Sequence, residues 1–285
     1  MIPRKIHFCW LSNDDFPPLI QHCLNTWKDV LPEYEIILWD TKRFNVNSIS
    51  WVKEAYDAKK YAFAADYIRL YAVYTEGGVY LDSDVEVIKS FNDLLQYKSF
   101  IGFEAATGGI EAAIFGGEPG TPWCKKAMDF YENEHFHVNE KGGVDLKITA
   151  PNIIEQALKD TYGSFSMIQP IKPMNLDNDI LICPAHYFSP IKYDVEKCYN
   201  EDRRLTSNYR ANPETYCIHR FNAAWGIKPS KSIQLWDKYK KRLTAVLGER
   251  IVSRLLSLTL YENIVMLKIH IFYQTFFYVA FFSHS

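Results

Sequence analysis

One stretch of this chain constrains the rest more than any other: residues 61–87, YAFAADYIRLYAVYTEGGVYLDSDVEV. Ala62 to Tyr74 contains no Gly or Pro, and Ala, Leu and Arg favour helix. Ala62, Asp66, Arg69 and Val73 follow i, i+4, i+7, i+11 spacing and share one helical face. That face carries an acid and a base three residues apart. The neighbours Ala64, Ala65, Ile68, Leu70 and Val73 predict a largely buried helix, and the plainer reading is an intrahelical ion pair on a solvated surface. Glu76-Gly77-Gly78 then ends the helix, because glycine readily takes the left-handed conformation that stops it. Val79-Tyr80-Leu81 is a short apolar run of strand formers that leads into Asp82-Ser83-Asp84. If the strand continues, Asp82 and Asp84 point to the same face. Two carboxylates so placed repel each other, and a divalent cation is the simplest relief. Hard oxygen ligands suit Mg²⁺ or Mn²⁺. A bare Asp-X-Asp also reads as a surface turn. The buried strand, the glycine pair and the Asp/Arg helix before it make the pattern specific.

Along the chain, Lys5 to Leu11 reads as a first buried strand that delivers Trp10 at its end. Pro17 to Asp29 reads as a helix opened by prolines, whose missing N–H does no harm there. Glu35 to Trp39 is a second strand and Ile49 to Lys60 a second helix. Strands alternating with helices predict an α/β layer fold with a mostly parallel sheet. Ligands of such sheets bind beyond the carboxyl ends of strands, where Trp10, Trp39 and Asp82 are expected. Further strands are predicted at Ser99 to Phe103, Ala112 to Phe115, near Met167, at Ile180 to Cys183 and at Thr215 to Ile218. Helices are predicted from Pro122 to Asn133, capped by Thr121, and from Thr149 to Lys159. His135 and His137 stand two apart in a polar segment and read as a solvated loop. His219 ends the last strand. It has two readings, a further metal ligand or a histidine satisfied in a loop.

The net charge of −2 leaves no basic footprint for nucleic acid. Aromatics make up 15% of the residues, which suits sugar or base stacking and equally suits an aromatic core. The six cysteines lie far apart with no Cys-X-X-Cys, so free thiols in a reducing compartment are expected. The N-terminal residues lack a long apolar run and a small-residue cleavage site, so no signal peptide is read there. Ser230 to Leu247 is predicted as a helix with a basic face. Leu255 to Phe282 is apolar and aromatic. Its uncharged part, Ile269 to Phe282, is shorter than the roughly 20 apolar residues that span a bilayer. An interfacial anchor is the preferred reading, with a helix packed on the preceding domain as the other.

Five segments resemble glycosyltransferase family 32, the DxD sugar transferases related to the glucosylating domains of large clostridial toxins and to bacterial capsule and lipopolysaccharide transferases. They are IPRKIHFCWLS (2–12), LPEYEIILWD (31–40), residues 55–87, IGFE (101–104) and YCIHRFNAAW (216–225). The resemblance implies a GT-A nucleotide-diphospho-sugar transferase fold, a Rossmann-like mixed sheet flanked by helices, over residues 1–228. A C-terminal helical segment, 229–285, follows. It implies Mn²⁺ or Mg²⁺ held by Asp82, Asp84 and His219. Trp10 would stack on the donor base, Asp66 and Arg69 would hold the donor sugar, and Asp82 would also contact the ribose. Trp225 would touch the diphosphate, and Gly78 and Ser83 would complete the donor-binding set. The catalytic residues so implied are Asp66, Arg69 and Asp84. The family pattern has Ser before that Trp; Ala224 stands here, so a hydroxyl contact is lost. Implied partners are a nucleotide-sugar donor, UDP-linked by preference, and a glycan or lipid-linked oligosaccharide acceptor; peripheral membrane contact is the expectation from the apolar tail, which the resemblance does not cover. The implied chemistry is retaining, by front-side attack of the acceptor hydroxyl. The implied setting is cell-surface polysaccharide or lipopolysaccharide synthesis, in the cytoplasm on the inner face of the membrane.

Two rivals come from other classes. A haloacid-dehalogenase-type phosphatase also has a strand and Asp-X-Asp, but it wants Thr or Val two residues after the second Asp, where Glu86 stands. A non-catalytic sugar- or membrane-binding module explains the aromatics and the tail. It does not explain an Asp/Arg helix feeding a paired-carboxylate strand end.

Overall fold

The computed structural model describes residues 1–105, 107–138, 149–163, 165–190 and 212–221. Trp225, Ala224 and the expected tail at 229–285 lie outside these residues. Seven strands form the main sheet: β1 (Lys5–Cys9), β2 (Glu35–Trp39), β3 (Gly78–Leu81), β5 (Ser99–Phe103), β6 (Ile110–Gly117), β7 (Met174–Leu176) and β8 (Ile180–Cys183). Their order is β2-β1-β3-β6-β5-β8-β7. A separate two-stranded sheet pairs β4 (Val85–Val87) with β9 (Cys217–His219). The helices are α1 (Pro18–Val30), α2 (Ser50–Asp57), α3 (Tyr61–Glu76), α4 (Pro122–Asn133) and α5 (Ala150–Thr161).

The sheet is mixed rather than mostly parallel. β1 pairs in parallel with β2 and β3, and β5 with β8, whereas β6 runs antiparallel to both β3 and β5. The cause is local: β5 and β6 are joined by the short segment 104–109, which allows a hairpin but no parallel crossover. The strand expected near Met167 forms instead at Met174–Leu176, against β8. Thr121 precedes α4 but does not cap it by its side chain; its hydroxyl donates to the Glu118 carbonyl at 2.7 Å.

Side chains alternate across the sheet and build two cores. Trp39, Tyr80, Ile101, Phe115 and Ile182 face the layer of α2, α3, α4 and α5, where Trp51, Trp123 and Tyr131 are buried. Ile6, Phe8, Val79, Leu81 and Ile114 face α1, through Leu24 and Trp27, and the β4–β9 pair. The indole N–H of Trp27 donates to the Val85 carbonyl at 2.7 Å and tethers β4 to α1.

The α3–β3 link is a packed corner. Gly77 closes α3 at φ 64° and Gly78 follows at φ 114°, backbone that glycine alone takes without strain. A Cβ at Gly77 would lie 2.6 Å from Pro119, and one at Gly78 would lie 2.8 Å from the Lys5 carbonyl oxygen. Buried His7 ties the corner down. Trp39 donates its indole N–H to Nδ1 at 3.0 Å, so Nε2 carries the proton and donates to the Gly77 carbonyl at 2.7 Å. Burial pushes the His7 pKa below its ordinary value, which keeps this neutral tautomer.

Candidate active site

β1, β3, β5 and β8 all point their carboxyl ends to one edge of the sheet, and the site is assembled there. β3 stops at Leu81. Asp82-Ser83-Asp84 is a turn rather than more strand, closed by the Val85 N–H donating to the Asp82 carbonyl at 3.0 Å. The two carboxylates therefore approach each other through a reversal of the chain, not through the pleat that alternation predicted. The reversal sends β4 out of the main sheet to pair with β9. In that register Val85 faces His219, and the Arg220 N–H donates to the Asp84 carbonyl at 3.0 Å. One ligand atom from each of Asp82, Asp84 and His219 lies within 4.8 Å of the others. His219 Nε2 is 3.7 Å from Asp84 Oδ1.

The Asp/Arg pair on α3 is buried, not solvated. Arg69 reaches Asp66 at 3.0 Å and Asp82 at 3.4 Å, donates to the Ala112 carbonyl at 2.9 Å and sits 5.0 Å over the ring of Tyr80. Tyr80 donates its hydroxyl to Asp82 at 2.7 Å. Arg69 thus links the helix to the Asp-X-Asp turn. Burial raises the Asp66 pKa to about 7 despite the attraction of Arg69, which it shares with Asp82. Asp82 is also raised: burial leads, Arg69 opposes it, and repulsion by Asp84 adds to it. Arg69 and His219 are the cations that oppose this crowding of carboxylates.

His219 carries the complementary shift. Burial alone would lower it, but Glu111 and Asp84 outweigh burial and lift it to about 10. Glu111 is a residue that sequence reasoning passed over. It lies one position before the strand predicted at Ala112, in IEAAIFGG, all eight residues of which are buried. The pairing of β5 with β6 shifts between Ile101 and Gly102. Beside this irregularity the Ala112 carbonyl accepts from Arg69, while on the β3 side the Ala113 carbonyl accepts the Asp82 N–H at 2.9 Å, extending the β3–β6 ladder by one residue. Such bulges commonly re-aim groups beside active sites. An isolated acid in an apolar strand run was the available signal. Glu104 follows β5 at the same edge; burial and then Glu111 raise its pKa to about 7.

Trp10 sits just beyond β1, half-buried, with its indole N–H on the Asp14 carbonyl at 2.8 Å and its ring edge-on to Phe16 at 5.0 Å. It shares the carboxyl edge with Asp82. Ser83 is half-buried in the turn between the two aspartates. Gly78 lies apart, at the opposite end of β3 and packed on Lys5. Trp225 lies outside the described residues. His135 pairs with Glu54 at 2.7 Å and is not one of the converging ligand groups.

The donor set suits a divalent cation. One ligand atom from each of two carboxylates and one imidazole lies within 4.8 Å of the others, and oxygen-rich sets of this kind accept Mg²⁺ or Mn²⁺.

The architecture is thus an α/β sheet with a buried Asp/Arg helix and an Asp-X-Asp turn at the strand ends. Residues 17–101 match the family model described as "Glycosyltransferase sugar-binding region containing DXD motif". It is 29% identical over 143 residues to Inositol phosphoceramide mannosyltransferase 3 of Schizosaccharomyces pombe, covering 47% of this chain and 40% of that protein. It is 26% identical over 132 residues to Mannosyl phosphorylinositol ceramide synthase SUR1 of Saccharomyces cerevisiae, covering 45% of this chain and 34% of that one. The chain thus spans less than half the length of these curated relatives. Among solved structures, it is similar to PaToxG Glycosyltransferase, with a TM-score of 0.46 and 19% identity over 57% of this chain and 70% of that one.

Proposed function

We propose that the protein is a metal-dependent, retaining glycosyltransferase that moves a sugar from a nucleotide-diphosphate donor to a glycan or a lipid-linked sugar acceptor. The observation that carries this is the convergence of Asp82, Asp84 and His219 at the sheet edge, braced by Arg69 from α3. A divalent ion bound there would neutralise the negative charge that develops on the leaving diphosphate.

The chain's own residues do the rest. Asp82 and Asp84 supply oxygen ligands from a turn held by Tyr80, Arg69 and the Ala113 carbonyl. His219 supplies nitrogen from β9. Arg69 and Asp66 hold donor sugar hydroxyls, which removes orientational freedom before attack. Trp10 offers an aromatic ring for the donor base, with Ser83 beside the phosphates. The family resemblance favours front-side attack, in which the acceptor hydroxyl bonds to the anomeric carbon on the face from which the nucleoside diphosphate departs, and its proton passes to that leaving group. UDP-sugars are the donors the family resemblance favours. The mannosyltransferase names of the relatives point to a mannose donor, and their ceramide-linked substrates favour a lipid-borne acceptor.

The test is donor hydrolysis. The protein is incubated with a panel of UDP- and GDP-sugars, with Mn²⁺ or with chelator, and released nucleoside diphosphate is measured. Release from one donor that disappears with chelator is expected, and it names the sugar. No release from any donor, together with no metal-dependent nucleotide binding by calorimetry, overturns the reading in favour of a binding module.

A further inference from the structure

We infer that Glu111 is a positioning residue for the metal site: it grips His219 from behind, so that the opposite ring nitrogen faces the Asp82–Asp84 turn. The inference rests on the metal site proposed above and adds to it a residue outside the ligand trio.

Glu111 is 1% exposed in a strand whose other members are all apolar or glycine. A buried carboxylate needs charged or hydrogen-bonding partners to compensate its lost hydration. It has two. One oxygen accepts the Ala113 N–H at 3.0 Å, which fixes the side chain against its own strand. Both oxygens lie 3.3 Å from Nδ1 of His219. The other nitrogen, Nε2, is the one near Asp84. The imidazole therefore stands between Glu111 and the turn. Glu111 does not belong to the group of converging ligand atoms, so it acts through the ring rather than on the ion.

The backbone makes this arrangement rigid. Glu111 faces Gly102 across the β5–β6 register shift, and His219 faces Val85 across the β4–β9 pair. Two different sheets thus present the two ends of one hydrogen-bonded unit. A carboxylate on the far nitrogen of a metal-bound histidine selects the tautomer with Nε2 free to bind. It also restrains ring rotation and raises the basicity of the ligating nitrogen.

The experiment is a double-mutant cycle on Mn²⁺ affinity, read by electron paramagnetic resonance of free Mn²⁺ with no nucleotide present. Glu111→Gln is expected to weaken binding by about 10- to 100-fold. His219→Ala is expected to weaken it too. In the His219→Ala background, adding Glu111→Gln is expected to change affinity by less than about threefold, because the two act as one unit. A role confined to folding would not produce that coupling. Unchanged affinity in Glu111→Gln, with His219→Ala weakened, overturns the positioning role while leaving the metal site intact. A full loss that persists in the His219→Ala background overturns it in favour of direct ligation. Wild-type protein that binds no Mn²⁺, indistinguishable from Asp84→Asn, overturns the metal site and this inference with it. Should Glu111→Gln fail to fold, the cycle uses Glu111→Asp, which keeps the charge but withdraws it by one methylene. A loss of about three- to tenfold, again absent without His219, is then expected.

Discussion

Asp84 and Arg69 differ in what their removal costs the fold. Asp84 is repelled by Asp82 but attracted by the His219 imidazole 3.7 Å away, and the two contributions offset. Asp84→Asn is expected to abolish metal-dependent donor hydrolysis while the protein still folds with a cooperative melting transition. An active, chelator-sensitive Asp84→Asn protein would show that the ion is held elsewhere. Arg69 is different. Its guanidinium is buried against Asp66, Asp82 and the Ala112 carbonyl. Arg69→Met leaves two acids without their counter-charge, and breaking a buried pair of this kind costs about 3–5 kcal/mol. Urea unfolding should show that loss, and Asp66→Asn in the same chain should recover part of it. A variant as stable as the parent would mean that the acids take up protons at no cost.

At the scale of elements, the short β3 separates packing from chemistry along its length. Gly78 begins it with φ 114° and no room for a Cβ, between the Lys5 backbone and His7. Asp82 follows its other end. Gly78→Ala is therefore expected to lower stability by about 1–3 kcal/mol through backbone strain, and to leave the Mn²⁺ affinity of the folded protein within about twofold. A selective loss of metal or donor binding at unchanged stability would restore the donor-binding role read from the motif. The same division explains β4. Once Asp82-Ser83-Asp84 reverses the chain, the strand after it cannot stay in the main sheet, and it finds β9 instead. That pairing, anchored by Trp27, is what carries His219 to the aspartates.

For the molecule as a whole, the site gathers groups from α3, the β3–β4 turn, β6 and β9. An ion that binds only this arrangement stabilises the folded state by mass action, about 2.7 kcal/mol at 100 times its dissociation constant. For a domain of this size that corresponds to a melting temperature higher by about 5–10 °C. Mn²⁺ is expected to produce that rise in the wild-type protein, chelator to reverse it, and Asp84→Asn to remove it. An equal rise in the variant would indicate binding at another site. Among the described residues, no helix is long and apolar enough to cross a membrane.

Much of this was legible in residues 61–87, because helix, glycine corner and strand are local structures set by neighbouring residues. The Asp/Arg spacing already placed both groups on one helical face, and the small apolar residues around them already said buried. Alternation of strands and helices announced the α/β class. What no local pattern could supply was pairing. The antiparallel insertion of β6, the turn that ended β3 at Leu81 and the β4–β9 sheet depend on contacts between residues far apart in the chain. Glu111 and His219 stand 108 positions apart and meet only because two sheets deliver them to one edge. Residue types and local spacing determined which groups could bind a cation. The register of strands distant in sequence decided which of them come together, because a carboxylate and an imidazole interact through the few ångströms between them in space, not through the chain that joins them.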